Sequence, residues 1–327
     1  MDERTLVVTY DADDERRRTV EAALPAGVTA TYLDDLDPAA HPEAIDGADA
    51  VLTFVPEREL SDAAFEALRA GQVVQAVTAG VDHLPLEAFP DGVRVFSNAG
   101  AYAEPMGEHV VALYLALAKR LLIEHRNLQD GEWNQFAENR EVDGSTCAIV
   151  GFGAVGEAAA RRLQALGVEV LGINRSGESE TDVSFLGTPD DLEHVLRRAD
   201  GVVLAAPLTP ETEGLIDAEA LGWLAEDAML INVGRGGLID QADLYDHLES
   251  NPAFQAGLEV WWDEPGRDEA FEPDYPFLEL PNVIGCPHNS SRVPGIGRRG
   301  QTAAVENVVR ALGDGAAENE VDPSLGY

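Results

Sequence analysis

Lysine is almost missing from this sequence. Lys119 is the only one in 327 residues, and Lys plus Arg total 22 against 60 Asp plus Glu. The formal net charge of −38 argues against nucleic acid and anionic membrane surfaces as partners, because both would repel such a surface. Disorder is one explanation for extreme acidity, but it requires low hydrophobicity, and 45% of the chain is hydrophobic. An acidic tail is another, but Asp and Glu run from Asp2 to Asp322. What remains is a folded protein with an acidic surface throughout. That surface repels itself at physiological salt and is screened in molar salt, where the Debye length falls to ~3 Å. The expected setting is the cytoplasm of a salt-accumulating microbe.

Cysteine is also scarce. Cys147 and Cys286 both lie in apolar, strand-like runs and read as small core residues, which excludes a disulfide framework and argues against a metal site. No long apolar run is present: the longest, Val110 to Ala118, is too short to span a bilayer. The N-terminus, Met1-Asp2-Glu3-Arg4, lacks a signal-peptide pattern. No short-period repeat or low-complexity segment occurs.

What is there alternates between strand and helix. Leu6–Tyr10, Ala50–Phe54, Val73–Val77 and Val93–Phe96 read as strands, with helices over Glu15–Ala23 and from a Ser61 cap through Ala70. A long helix is predicted over Pro105–Asn127, with Val110, Leu113, Leu117 and Leu121 on one buried face. It could cross between domains or dock on another subunit. Further strands follow at Cys147–Val150, Glu169–Ile173, Val202–Ala205, Met229–Val233, Gln255–Leu258 and Val283–Gly285. Helices are predicted over Leu192–Arg198, Ala218–Leu224, Gln241–Leu248 and Gly297–Leu312. This is the pattern of an α/β protein with two doubly wound, Rossmann-like domains and parallel sheets. The last helix is expected to return to the first domain. That makes residues 1–99 plus 290–327 one discontinuous domain, with a nucleotide domain, residues 100–289, inserted into it.

The strand Cys147-Ala148-Ile149-Val150 runs directly into Gly151-Phe152-Gly153-Ala154-Val155-Gly156, and an alanine-rich helix follows. G-x-G-x-x-G between strand and helix reads as a dinucleotide fingerprint. Gly151 would allow the tight turn, Gly153 close approach to a pyrophosphate, and Gly156 helix–strand packing. The helix N-terminus adds unpaired N–H groups and partial positive charge. The competing reading is a structural glycine turn.

Eighteen residues beyond Gly156, where an acid would accept from a ribose 2′-hydroxyl in an NAD site, the chain reads Asn174-Arg175-Ser176. No carboxylate stands there to repel a 2′-phosphate, and Arg175 and Ser176 offer a charged fork and a hydroxyl. NADP is therefore expected as the preferred cofactor, with NAD still possible. The alternative is an ordinary exposed arginine.

Three more polar residues follow predicted strands: Arg235 in Asn232-Val233-Gly234-Arg235-Gly236, Glu264 after Trp261-Trp262-Asp263, and His288 after Cys286-Pro287. A carboxylate bonded to one imidazole nitrogen fixes the tautomer and favours the charged ring. Such a ring can protonate a carbonyl oxygen while hydride arrives at carbon. An adjacent arginine can clamp a substrate carboxylate. Spacing alone leaves a structural ion pair or loop cap equally open for each.

Taken in order, Gly80-Val81-Asp82, Glu108-His109, the glycine fingerprint, Pro207-Leu208-Thr209-Pro210-Glu211-Thr212, Asn232-x-x-Arg235-Gly236, Gly257-Leu258-Glu259-Val260 with Glu264-Pro265, and Pro287-His288 resemble the D-2-hydroxyacid dehydrogenase family over nearly the whole chain. The resemblance implies hydride transfer between NAD(P)H and 2-ketoacids. By position, His288 would be the acid/base, Glu264 its partner and Arg235 the anchor for the carboxylate and carbonyl. It implies cofactor contacts at Gly151, Phe152, Gly153, Ala154, Val155, Gly156, Asn174, Arg175, Ser176, Ala206, Pro207, Thr212, Val233, Gly234 and Glu259. Substrate contacts are expected at the Ala79 and Gly80 backbone, Phe54, Tyr102, Arg235 and His288, with no metal. A homodimer through the nucleotide domain is also implied, with the Pro105–Asn127 helix in its interface.

Two features depart from the family pattern: Glu259 and Trp261 stand where aspartate and another aromatic are usual. The short tail after the last helix argues against the longer phosphoglycerate dehydrogenases, and Glu264 beside His288 argues against formate dehydrogenases. Within the enzyme class the alternative is a glyoxylate or hydroxypyruvate reductase, although Phe54 leans the pocket toward larger apolar groups. Outside it, a dinucleotide-sensing binding protein of the corepressor type keeps the same residues. A KCl series tests the acidic-surface and dimer expectations together. The melting temperature should climb steeply toward molar KCl, and sedimentation there should give twice the chain mass. A flat melting series would sink the salt-adapted reading.

Overall fold

The computed structural model describes residues 3–266, 268–313, 315–323 and 325–326. The chain divides into two compact units, Met1–Tyr102 with Val293–Tyr327, and Ala103–Arg292.

The first unit holds a five-stranded parallel sheet made of β1 (Arg4–Val8), β2 (Val28–Tyr32), β3 (Ala50–Thr53), β4 (Val73–Ala76) and β5 (Arg94–Phe96), in the order β2-β1-β3-β4-β5. Alternation along the strands feeds two cores. Leu6 and Val8 pack with Ala304, Val305 and Val308 of the Ile296–Leu312 helix, whereas Val7 packs with Ile45, Leu68 and Val74 on the other face. The Ser61 helix is shorter than predicted, Asp62–Phe65. The buried Gln72 side chain accepts from Arg69 N–H and donates to the Ile45 and Ala48 carbonyls, giving the chain a different set of bonds from a continuing helix.

The second unit carries β6 (Thr146–Val150), β7 (Glu169–Ile173), β8 (Phe185–Gly187), β9 (Gly201–Leu204), β10 (Met229–Asn232), β11 (Gln255–Leu258) and β12 (Val283–Gly285). All pairs are parallel, in the order β12-β11-β10-β9-β6-β7-β8. Ala148, Val150, Leu230 and Leu258 fill one face. Cys147, Ile149, Val203 and Ile231 fill the other, beneath the Ala103–Ala118 helix. The order reverses between β6 and β9, and in such sheets ligands bind at the strand carboxyl ends beside that switch point.

The long helix is not continuous. Ala103–Ala118 and Leu121–Gln129 are separated by Arg120 in the left-handed conformation, φ 51°. The Ala118 carbonyl accepts from Arg140 N–H, and the single lysine donates from Nζ to the Arg140 carbonyl at 2.7 Å. These bonds replace the next helical turn. Val110, Leu113 and Leu117 are buried against this unit's own sheet, but Leu121 is 58% exposed. The predicted apolar face therefore stops at Leu117.

At the switch point the three fingerprint glycines have different surroundings. Gly151 has φ +96°, and a Cβ there would lie 2.2 Å from Ala206 N, in the loop after β9. A Cβ on Gly156 would lie 2.5 Å from the Gly151 carbonyl oxygen, whereas one on Gly153 would meet nothing within 4 Å. Gly151→Ala and Gly156→Ala should therefore each cost more than about 3 kcal/mol of stability. Gly153→Ala should keep the folding stability within about 1 kcal/mol of the parent yet weaken dinucleotide binding at least ~10-fold. Calorimetry of NADPH binding beside thermal melts checks the split. A Gly153→Ala protein that binds normally would remove this glycine from the phosphate cradle.

Candidate active site

Each side chain of the expected catalytic set sits just past a strand of the seven-stranded sheet. Arg235 follows β10, and its loop is shaped by Asn232, which donates from Nδ2 to the Arg235 carbonyl at 2.8 Å and accepts from Gly234 N–H at 3.1 Å. A Cβ on Gly236 would lie 2.3 Å from the Trp261 backbone. Only glycine lets the Arg235 loop press against the segment after β11. That segment is pinned by two indoles: Trp261 Nε1 donates to the Cys286 carbonyl and Trp262 Nε1 to the Ile239 carbonyl, at 2.8 and 2.7 Å.

Glu264 then reaches His288. Oε2 lies 2.6 Å from His288 Nδ1, and Oε1 accepts from Trp261 N–H at 3.1 Å. With Nδ1 committed to the carboxylate, Nε2 is the nitrogen available to a substrate. Burial raises the Glu264 carboxyl, but His288, the Trp261 N–H and the Arg235 charge outweigh it and hold the group below its ordinary value. Arg235 thus belongs to the same electrostatic cluster. His288 itself has φ 49°, an uncommon conformation for a side-chain-bearing residue, and its N–H donates to the Glu259 carbonyl at 3.0 Å. Strain of this kind is found where a fold over-determines a functional position.

The glycine fingerprint lies at the switch point. Gly153 is the N-cap of the Ala154–Gln164 helix and makes no side-chain cap bond, so no side chain competes for the first N–H groups. Gly153 carries no Cβ to keep a phosphate away. Phe152 is buried, Ala206 stands against Gly151, and Gly234 comes close to the Ala206 carbonyl. Val233 is buried in the core, and Thr212 Oγ1 donates to the Pro207 carbonyl at 2.7 Å, shaping the loop after β9. These residues fit a bound pyrophosphate.

After β7, the side chain of Asn174 is taken up locally. It donates to the Phe152 and Glu178 carbonyls and accepts from Gly177 N–H. It builds the loop together with Ser176, whose Oγ accepts from the Glu178 N–H at 3.3 Å, and Arg175 and Ser176 are both exposed.

In the first unit, Phe54 stands at the β1/β3 reversal, its ring 4.6 Å from Tyr10. Its backbone is held by Glu59, which accepts from the Thr9 and Thr53 hydroxyls and from the Phe54 and Val55 N–H groups. Ala79 and Gly80 follow β4 in a partly exposed loop. The Tyr102 hydroxyl donates to the Val77 carbonyl at 2.7 Å, which ties its ring to the same segment.

Three residues were missed or misread from the sequence. Glu59 gave no motif signal. Cys286 is not a core residue: it is a free, partly exposed cysteine, and only Cys147 is buried. His109, seen only as part of a motif, lies 3.2 Å from the wholly buried Glu259. The Glu-His pair and the glutamate in place of aspartate were the available signals. Cys286, then Glu259, raise His109 to about 9 against the effect of burial. Burial in turn raises Glu259, but His109 and the Ser290 N–H bring it below its ordinary value.

A family model described as the NAD binding domain of D-isomer specific 2-hydroxyacid dehydrogenases matches residues 111–290. The chain is 31% identical to a glyoxylate reductase of Thermococcus kodakarensis, over 85% of this chain and 82% of that protein. It is 30% identical to a D-3-phosphoglycerate dehydrogenase of Methanocaldococcus jannaschii over 77% of its length, and spans only 47% of that longer relative. Among solved structures, a D-isomer specific 2-hydroxyacid dehydrogenase of Xanthobacter autotrophicus, bound to NADPH and MES, superposes with a TM-score of 0.81 at 28% identity, covering 99% of this chain and all of that one. An NADPH-dependent glyoxylate/hydroxypyruvate reductase of Sinorhizobium meliloti, with NADP and sulfate, gives 0.79 at 27% identity and the same coverage.

The His109 shift has a consequence for stability. An imidazole raised from 6.5 to about 9 by folding contributes stability that is complete below pH 6.5 and lost as pH rises through about 9. Denaturant midpoints of chelator-treated protein in high KCl should therefore fall between those limits, and His109→Gln should flatten the fall. An equal slope in the variant removes His109 as its source.

Proposed function

Because the chain belongs to the D-isomer-specific 2-hydroxyacid dehydrogenase family of NAD(P)-dependent oxidoreductases, we propose that it reduces 2-ketoacids to D-2-hydroxyacids, with NADPH preferred over NADH. The observation that carries the reading is the 2.6 Å contact between His288 Nδ1 and Glu264, with Arg235 in the same charged cluster. The nicotinamide, when bound, supplies the hydride to the carbonyl carbon. His288 Nε2 supplies the proton to the carbonyl oxygen, and Glu264 stabilises the ring while it is charged. Arg235 neutralises the substrate carboxylate and polarises the carbonyl. The backbone at Ala79–Gly80 is assigned to carboxylate binding, and Phe54 to the side-chain end of the substrate, on family resemblance.

The cofactor choice is supported by exposed Arg175 and Ser176 after β7 and by the NADPH and NADP ligands of the two solved relatives. The homodimer is supported by exposed apolar side chains past the helix break: Leu121, Leu128, Trp133 and Phe136, the last two 75% and 87% exposed. The interface is therefore assigned to this segment and not to the Val110–Leu117 face, which packs on its own sheet.

A panel of 2-ketoacids assayed at high KCl with both reduced cofactors tests the reading. At least one ketoacid should be turned over, faster with NADPH. His288→Ala should lower kcat by ~10²- to 10⁴-fold, while Arg235→Ala should also raise KM. Strong NADH preference overturns the cofactor assignment alone. NADPH binding without turnover of any ketoacid overturns the reductase and leaves a dinucleotide-sensing binding protein.

A further inference from the structure

A second cluster of chemically capable side chains lies in the nucleotide-binding unit. His109 extends from the Ala103–Ala118 helix, Glu259 follows β11 and Cys286 follows β12. One potential ligand atom from each lies within 4.8 Å of the other two. Glu259 is wholly buried, and its Oε1 accepts from the Ser290 N–H. Its Oε2 makes no hydrogen bond and faces His109 Nε2, which makes none either, at 3.2 Å. A proton or a metal ion must lie between two such atoms at that distance.

A proton on the imidazole meets that requirement, and so does a metal ion. The spacing admits a metal. Two N/O donors at ~2.0–2.2 Å from a tetrahedral ion lie ~3.3 Å apart, and a thiolate at ~2.3 Å lies ~3.6 Å from each. A metal ion would take all three groups, imidazole, carboxylate and thiolate, as ligands at once. One imidazole, one carboxylate and one thiolate form a borderline-soft donor set, matched to zinc and cobalt. Magnesium and calcium demand six or more oxygen ligands.

We propose that His109, Glu259 and Cys286 form a binding site for a divalent transition-metal ion of the zinc class, with three protein ligands and the fourth position open. The His288 N–H bonds to the Glu259 carbonyl and the Ser290 N–H to its side chain. The ion would thus rest on the residue that anchors the His288 loop. This assignment does not depend on the hydride-transfer reading, and its test does not measure turnover.

The test uses chelator-treated full-length protein in high KCl, titrated with Co²⁺. Surface carboxylates will take up Co²⁺ through oxygen, so bulk stoichiometry is uninformative. Thiolate-to-cobalt charge transfer reports sulfur alone. The chain has two cysteines, and Cys147 is wholly buried in β6. The expected result is a charge-transfer band with tetrahedral visible bands, saturating at one equivalent and bleached by one equivalent of Zn²⁺. The band should persist in Cys147→Ser and vanish in Cys286→Ser. His109→Gln should weaken Zn²⁺ binding on the order of 10-fold or more. A wild-type protein without the band, or a band that survives in Cys286→Ser, overturns the proposal.

Discussion

The candidate active site hangs on one buried carboxylate. Glu259 is wholly inaccessible, and its backbone N–H donates to the Asn232 carbonyl while its own carbonyl accepts from His288 N–H. Its side chain takes the Ser290 N–H on one oxygen and faces His109 with the other. Asn232 in turn shapes the Arg235 loop. The arginine loop and the histidine loop, brought by β10 and β12, are therefore both tied to a single residue after β11. Burying a carboxylate costs several kcal/mol unless charge and hydrogen bonds offset it. Here the imidazole and a backbone N–H provide the offset, and the same contacts fix the backbone that carries His288.

Much of this arrangement was legible because the chemistry and the punctuation coincide in the sequence. Strand–Gly151–helix is a short-range pattern whose geometry follows from sterics. Arg235, Glu264 and His288 stood out because charged residues at the ends of apolar strands need a reason to be there. Their meeting was not legible, because it rests on contacts between distant backbone segments, such as Gly236 beneath Trp261. The two strands left unread, β2 and β8, lie at sheet edges, and neither is fully buried along its length. An edge strand needs no continuous apolar run, so it leaves little periodic trace. The helix break at Arg120 escaped notice for another reason. The residues that end the helix are Arg140 and Lys119, and Arg140 lies 22 residues beyond Ala118.

The acidic surface sets a second condition. Anionic cofactor and substrate must enter a protein with net charge −38. Several of its few arginines are already committed elsewhere: Arg17 serves both Asp34 and Asp35, Arg94 serves Glu320, and Glu104 takes both Arg161 and Arg162. The N–H groups opening the Ala154–Gln164 helix and the charges of Arg175 and Arg235 add local attraction. Backbone dipoles cannot be screened away as readily as long-range repulsion, because they act at contact distance. Salt should therefore weaken the repulsion more than the binding contacts.

The glutamate at position 259 brings these threads together. Aspartate, the usual residue at this point of the family pattern, would end one methylene earlier. It could not span from the β11 backbone to both the Ser290 N–H and the His109 ring without moving one of them. The longer side chain holds the helix bearing His109 and the loop bearing His288 to a common point. It also places an unbonded oxygen opposite an imidazole nitrogen, within reach of a cysteine thiol. Whatever lies between that oxygen and the imidazole immediately behind the His288 loop, proton or metal ion, also sets how firmly the loop is held.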